Sequence, residues 1–280
     1  MICPLCSSES KIAFEAKGFP VRDCGTCRHR FTGVFTKENH VEKIYADSYF
    51  TGGGAGYSDY FAEGEMLQNR GRAYAKILSK YAGAGKMLDV GAAAGFILKG
   101  FTDEGWTGAG IEPNFQMARF GREQLNLNVL QGDFENFQTA EKFDLISMIQ
   151  VAAHFHNPRR AFENAAGLLK RNGLLLVETW NRASLSARIF GKNWHEYSPP
   201  SVLQCFSPDG LTEFLHGFGF EKTAMGRPGK KISGRHAKSL LQYRLGEKSL
   251  FYPFLKMIPD KINLPYPAED LFWAIYRKKI

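Results

Sequence analysis

Short apolar runs alternate along this chain with Gly-rich turns and with stretches whose apolar residues recur at helical spacing. Lys86-Met87-Leu88-Asp89-Val90 predicts a buried strand, Gly91 to Gly95 a tight turn, and Phe96-Ile97-Leu98 the apolar face of a helix. Thr107 to Glu112 reads as a second strand. A helix follows from Phe115 to Gln124, with Pro113 near its first turn and Asn114 as its cap. Asn128 to Asp133 is a third short strand, and Phe143 to Ile149 is nearly all apolar, as a central strand should be. Pro158 begins a helix running to Leu169, and Gly173 to Thr179 forms a fifth strand. Ser207-Pro208-Asp209 opens another helix ending near His216, and Phe218 to Ala224 and Leu271 to Tyr276 supply the last two strands. Strands alternating with helices predict an α/β fold built on a parallel, doubly wound sheet.

Three stretches depart from that rhythm. Between residues 40 and 84 a short helix (His40 to Tyr45) precedes an aromatic-bounded glycine loop with a hinge at Gly52–Gly56. A longer helix then runs from Glu65 to about Tyr81, its apolar face formed by Leu67, Tyr74, Ile77 and Leu78. Residues 180–207 are longer and more aromatic than an ordinary connection, which predicts an aromatic wall for a ligand pocket. Residues 228–268 form an insertion, basic in Gly229–Lys248 and helical in Leu250–Ile258.

The 280 residues suffice for one substantial core and a small accessory module. With 44% apolar and 23% charged residues the chain is globular rather than disordered. No run approaches the ~18 apolar residues of a membrane span, and Met1-Ile2-Cys3-Pro4 lacks the pattern of a secretory signal. A cytosolic protein without integral membrane association is therefore expected. The net charge of +8 fits either a polyanionic partner such as RNA or a merely basic surface. Its densest patch comprises Arg227, Lys230, Lys231, Arg235 and Lys238.

Four of the five cysteines lie within the first 27 residues. Cys3-Pro4-Leu5-Cys6 and Cys24-Gly25-Thr26-Cys27 are paired C-x-x-C knuckles 17 residues apart, a donor set that suits tetrahedral zinc. Residues 1–39 are expected to form a zinc-ribbon-like module with Cys3, Cys6, Cys24 and Cys27 as ligands to a structural Zn2+. His29 is a surplus ligand, expected to face solvent or a phosphate.

The turn at Gly91, Ala92 and Gly95 should put unpaired backbone N–H groups around a concavity suited to an anionic group. It is not the dinucleotide pattern G-x-G-x-x-G, because Asp89 precedes the first glycine. Glu112 ends the second strand about 20 residues further on, where a carboxylate can take both hydroxyls of a ribose. Asp133 ends the third strand and could receive an adenine amino group.

On these motifs the chain resembles the class I S-adenosylmethionine-dependent methyltransferases, over roughly Leu67 to Phe220 and again from Asp270 to Arg277. The resemblance implies a Rossmann-like seven-stranded sheet in the order 3-2-1-4-5-7-6 across residues 85–280, with the last strand antiparallel. It implies that the Asp89–Gly95 turn wraps the methionine moiety, that Glu112 with Pro113 holds the ribose, and that Asp133 with Phe134 reads the adenine. Tyr57 and Tyr60 would cover the cofactor, Arg70 would meet its carboxylate, and Gln150 would lie near the methyl or the ribose. His154 matches a histidine often found after the fourth strand, as a general base or as a structural residue. Ala153 stands where the family often has Glu. His195, beside Glu196, is the second candidate base, since Ser201-Val202-Leu203 replaces the family's histidine after Pro199-Pro200. The leading expectation is methylation of a small or medium-sized metabolite at oxygen, nitrogen or carbon, with the oligomeric state left open. Methylation of ribosomal or transfer RNA and cofactor binding without catalysis are the alternatives. The Asn-Pro-Pro-Tyr-like motif of base-amine methylation is absent, Val151-Ala152-Ala153-His154 taking its place.

Overall fold

In the computed structural model the described residues are 1–34, 60–229, 231–235, 237–238, 259–260, 262–265 and 269–279. Tyr57, the 40–45 helix, the glycine hinge, Lys230 and the apolar positions at 240–241 and 251–255 lie outside them.

The central sheet has seven strands: β4 (Lys86–Val90), β5 (Thr107–Glu112), β6 (Val129–Gln131), β7 (Phe143–Ile149), β8 (Leu169–Trp180), β10 (Phe220–Gly226) and β13 (Leu271–Lys278). Their order is β6-β5-β4-β7-β8-β13-β10. The first five are parallel, while β13 runs antiparallel to both β8 and β10. This is the expected order. Consecutive residues of a strand face opposite sides, so Met87 and Leu145 join one apolar cluster while Leu88 and Ile146 join the other. A small two-stranded antiparallel sheet, β11 (Lys231–Ser233) with β12 (Asn263–Pro265), belongs to the 228–268 insertion.

Helices among the described residues include α1 (Gly64–Leu78), α2 (Phe96–Asp103), α3 (Phe115–Leu125), α4 (Pro158–Leu168), α5 (Leu185–Phe190) and α6 (Pro208–His216). Side chains cap four of them: Asn114 accepts from Met117 N, Asn157 from Arg160 N, Ser184 from Ala187 N and Ser207 from Gly210 N. The fifth strand begins earlier than the sequence pattern suggests. Leu169 pairs with Phe143 ahead of a register shift, so β8 leaves α4 without an intervening turn.

Residues Ser10–Ala16 (β1), Phe19–Cys24 (β2) and Arg30–Thr32 (β3) form an antiparallel sheet whose fourth strand, β9 (Gln204–Cys205), comes from the 180–207 excursion. The N-terminal module is thus joined to the rest of the protein by strand pairing. Arg30 fixes the joint with a fork on Asp23 (2.7 and 2.6 Å) and a bond to Tyr197 Oη (2.8 Å). Lys17 reaches Ser198 Oγ at 2.8 Å, Arg159 donates to Leu5 O, and Arg182 donates to Arg28 O.

Helix α1 lies close on α2 because both carry glycine at the contact. A Cβ at Gly71 would stand 2.2 Å from Ile97 O, and one at Gly100 would stand 2.1 Å from Gln68 O. Each wall is backbone, which cannot rotate away. Gly100→Ala should therefore cost about 1–3 kcal/mol by forcing the helices apart, read as a lower midpoint in thermal or urea unfolding. A wild-type midpoint would overturn this packing.

Candidate functional site at the strand tips

The turn after β4 uses left-handed backbone at Gly91 (φ 66°), Ala93 (φ 46°) and Gly95 (φ 83°). The amides of Gly91, Ala92, Ala93 and Gly95 are paired within the protein, which corrects the expectation of unpaired N–H groups at Gly91, Ala92 and Gly95. Gly91 N and Ala92 N donate to Ile111 O (2.8 and 3.1 Å), Ala93 N to Glu112 Oε2 (2.8 Å) and Gly95 N to Ala92 O (2.8 Å). The turn folds back on the tip of β5, so these donors hold the loop's shape and offer no nest to a phosphate.

Glu112 is buried, and its second oxygen accepts from Asn114 N at 2.8 Å. One carboxylate thus pins the first βα turn to the start of α3, with Pro113 inside the pinned segment. Each oxygen keeps further acceptor capacity for a hydroxyl donor. Burial pushes Glu112 up to about 7, against the opposing pull of its two amides, with the Asp89 charge adding to the rise. Asp89 lies buried under the same turn. It accepts from Ser147 Oγ at 2.6 Å, and burial likewise pushes it up to about 7.

Asp133 caps a short turn, accepting from Glu135 N (3.0 Å) and Asn136 Nδ2 (2.7 Å), with Phe134 buried beside it. Glu135, which the sequence reading missed, is buried and receives His156 N and Asn157 N at 2.8 Å each. It ties the third connection to the start of α4.

Gln150 follows β7 with φ 59°, and its neighbour Val151 lies against Gly91, where a Cβ would stand 2.5 Å from Val151 Cγ2. The loop after the fourth strand therefore touches the turn after the first. Gln150 Nε2 donates to Glu178 Oε1 at 3.1 Å. Glu178 is fully buried and also receives Arg70 and the Tyr74 hydroxyl, both from α1. The structure thus places Arg70 on Glu178, not open toward a cofactor carboxylate as expected. The sequence did carry a sign of Glu178: it is the one acid in the apolar run Leu174-Leu175-Leu176-Val177. Tyr60 is buried against Phe96 at the opening of α2, consistent with a cover over that corner.

His154 stands four residues beyond Gln150. Its Nδ1 lies 2.8 Å from Ser201 O, and a carbonyl only accepts, so Nδ1 carries the hydrogen. Burial lowers its pKa, opposed by hydrogen bonds to the backbone of Ser201 and of Gln150. His156 is exposed, as expected.

His195 packs edge-on against Trp180, with Glu196 Oε1 3.3 Å from Nε2 and Asp270 Oδ2 3.8 Å from Nδ1. The excursion's aromatic side chains are mostly spent inward. Trp194, Tyr197 and Phe206 are buried, Trp194 donating to Asp270 at 2.9 Å. The expected aromatic wall is in large part the packing that seats the N-terminal module. His29 is likewise buried, with Nε2 2.9 Å from Gln204 Oε1, which corrects the expectation of a solvent-facing or phosphate-facing residue.

The four cysteine sulfurs lie within 4.8 Å of one another, with Cys3–Cys27 at 3.6 Å and Cys6–Cys24 at 3.4 Å. A tetrahedron with ~2.3 Å metal–sulfur bonds has edges near 3.8 Å. The two knuckles repeat one geometry. Ser7 N bonds Cys3 O (3.0 Å) as Arg28 N bonds Cys24 O (3.1 Å), and Cys3 N bonds Ser8 O (2.8 Å) as Cys24 N bonds His29 O (2.9 Å). Ser7 (φ 61°) and Arg28 (φ 57°) share the left-handed bend. Burial pushes Cys3 up to about 11, while hydrogen bonds from Ser8 and neighbouring thiols outweigh burial to hold Cys6 down at about 6. Four clustered sulfurs cannot all ionise without a cation among them, so the donor set fits a divalent soft metal.

Comparison with known proteins agrees with this architecture. Residues 66–224 match the family described as "Methyltransferase domain", more than half of the chain, and the protein belongs to that family. A ubiquinone biosynthesis O-methyltransferase of Rhodopseudomonas palustris (strain HaA2) is 30% identical over 159 residues, 52% of this chain and 61% of that protein. The chain thus spans about three fifths of this curated relative's length. Among solved structures, a SAM-dependent methyltransferase from Archaeoglobus fulgidus matches with a TM-score of 0.53 at 18% identity, covering 77% of this chain and 94% of that one. N-methyltransferase NodS from Bradyrhizobium japonicum WM9, in complex with S-adenosyl-l-homocysteine, matches with a TM-score of 0.50 at 15% identity, covering 76% and 87%. At these identities the structures speak for the fold. No helix among the described residues is long and apolar enough to cross a membrane.

The two buried acids yield a pH test. Burial holds both near 7 in the folded protein, against ordinary values of 3.8 for Asp89 and 4.5 for Glu112. Their contribution is fully present below the unfolded values and is lost as pH rises through 7, because the folded state holds their protons more tightly. Urea midpoints compared between pH 5 and pH 8 should therefore fall less in Asp89→Asn and Glu112→Gln than in wild type. Equal pH dependence in all three proteins would reject the shifted titrations.

Proposed function

We propose that this protein transfers a methyl group from S-adenosylmethionine to a small or medium-sized metabolite, releasing S-adenosylhomocysteine. The observation that carries the reading is Glu112, a buried carboxylate at the tip of the second strand. It is locked by two amides yet has acceptor capacity left for the paired hydroxyls of a ribose. A turn with four of its five amides already paired suits a nucleoside sulfonium better than a pyrophosphate. Asp133 and Phe134 would then address the adenine, and the Asp89–Gly95 backbone the methionine moiety. Bound S-adenosylmethionine supplies an electrophilic methyl group on a sulfonium.

The protein's own part is to orient and to exclude water, which can account for much of the rate in an in-line displacement. Val151 against Gly91 sets the floor beside the donor turn. Gln150, held by Glu178, would face the donor. His154 is our choice of base: Ser201 O holds its ring through Nδ1, and burial lowers its pKa and keeps it neutral near pH 7. His195, between Glu196 and Asp270 at the end of β8, is the second candidate. The curated relative's name, an O-methyltransferase of ubiquinone biosynthesis, supports a small acceptor and oxygen chemistry. Cys3, Cys6, Cys24 and Cys27 would hold one structural Zn2+, with all four positions filled by thiolate and none left for water.

Calorimetry with S-adenosylhomocysteine should give saturable binding. The affinity should rise as pH passes about 7, because hydroxyl donors favour the ionised Glu112. Glu112→Ala should weaken binding at least about tenfold; no binding by wild type would sink the reading. Isotopically labelled methyl transfer into cell extract, split into small-molecule, RNA and protein fractions, should place the label in small molecules. Label confined to RNA or protein would overturn that acceptor class.

Elemental analysis should find about one zinc per chain. Chelation should lower the thermal midpoint, and a metal-free protein with an unchanged midpoint would refute the structural role.

A further inference from the structure

Residues Ser201 to Cys205 run between two parts of the protein that are distant in sequence. On one side is the N-terminal module. Thr32 N donates to Leu203 O and Thr32 Oγ1 to Val202 O, both at 2.8 Å, and Arg30 and Phe31 pair with Cys205 and Gln204. On the other side is the turn after β7. Leu203 N donates to Ala153 O at 2.9 Å, and Ser201 O accepts from His154 Nδ1. The Gln204 side chain spans both sides, its Nε2 donating to Phe155 O at 2.9 Å while Oε1 faces His29 Nε2 at 2.9 Å.

The direction of this bridge is determined. Phe155 O can only accept, so the amide nitrogen faces it and the amide oxygen faces His29, which donates from Nε2. Gln204 and His29 are 4% and 5% exposed, and His29 lies between the rings of Phe31 and Phe206. A buried polar bridge among aromatic rings is costly unless both ends are satisfied, and an apolar side chain of similar volume would fill the space without that cost.

We propose that Gln204 and His29 are positioning residues that couple the four-cysteine module to His154. The proposal rests on the reading of His154 as proton acceptor. The bond to Phe155 O holds the peptide after Phe155, and Leu203 N on Ala153 O holds the peptide that enters His154, so the 201–205 segment anchors the loop on both sides of the imidazole. Ser201, three residues before Gln204 on the same segment, holds the ring through Nδ1. The cysteine module is then a part of the active-site scaffold, acting through the 201–205 segment on the proton acceptor, while donor affinity is governed separately by Glu112 and its turn.

The test uses the whole 280-residue chain, metal-replete. In 15N spectra the imidazole of His154, assigned by its absence in His154→Gln, should show a protected Nδ1–H. Gln204→Leu and His29→Phe should speed its exchange with solvent at least about tenfold. His29→Gln, which keeps an N–H donor, should restore protection. S-adenosylhomocysteine affinity should stay within about twofold in all of these variants. Labelled methyl transfer into the small-molecule fraction should fall by about ten- to a hundredfold in Gln204→Leu and His29→Phe.

Wild-type exchange and transfer in Gln204→Leu would overturn the coupling. So would equal damage in His29→Gln and His29→Phe, or loss of donor affinity together with transfer, which marks a general structural role. Full transfer by His154→Gln would instead remove the base assignment, and the coupling with it. Failure of wild type to bind S-adenosylhomocysteine would strike the methyltransferase reading itself.

Discussion

One buried carboxylate sets the geometry of the strand tips. Glu112 ends β5 and accepts backbone hydrogens from Ala93 and Asn114, which belong to the connections on either side of it. The turn after β4 holds three residues in left-handed conformations, one of them an alanine, and such backbone persists only where its surroundings determine it. Glu112 is a large part of that determination. Its own burial is tolerable because both oxygens are occupied by amides, and Asp89 beneath the turn is answered by Ser147. The loop is therefore shaped before any ligand arrives, and its rigidity comes from donors a phosphate-binding turn would keep open.

Glu178 repeats the logic three strands away. It gathers Arg70 and Tyr74 from α1 and Gln150 from the end of β7, and so fastens a helix to the sheet at the edge where a donor would sit. The arrangement depends on the close approach of α1 to α2 at Gly71 and Gly100, since a helix held further out would withdraw Arg70 and Tyr74 from the acid. Removing one partner of such a buried pair is more damaging than never having had it, because the remaining charge is left without compensation. Arg70 thus has a structural partner that its position in sequence did not disclose.

Local patterns were legible in the sequence and long-range partners were not. The apolar run ending at Val90, the Asn114, Ser207 and Asn157-Pro158 helix starts, and the paired cysteine knuckles all declare themselves within a few residues, and the structure follows them. The strand order was readable because βαβ connections and the motif resemblance left little choice. What escaped was every relation between distant segments. The inward folding of the Gly91–Gly95 amides depends on where Ile111 O falls. The place of His29 depends on Gln204, 175 residues later. The aromatic 180–207 excursion looked like a pocket wall because nothing in its composition reveals that a separate module pairs with it through β9.

That module also changes how the chain's charge should be read. A segment of this size cannot bury a core of its own, and it is joined to its host by a shared strand and by cationic side chains reaching across the joint. Arg30 is occupied with Asp23 and Tyr197, Arg159 with Leu5 O, Arg182 with Arg28 O, and Arg277 with Asn172 O and Tyr81 O. Guanidinium groups that donate to backbone carbonyls remain charged, but their donors are committed and their positions are set by the fold rather than by a phosphate backbone. The formal excess of +8 therefore overstates the charge arranged for a polyanion. Among the described residues these arginines act as fasteners between segments. That is the role expected of a planar, multiply donating side chain at an internal interface, and it weighs the acceptor question toward a small molecule.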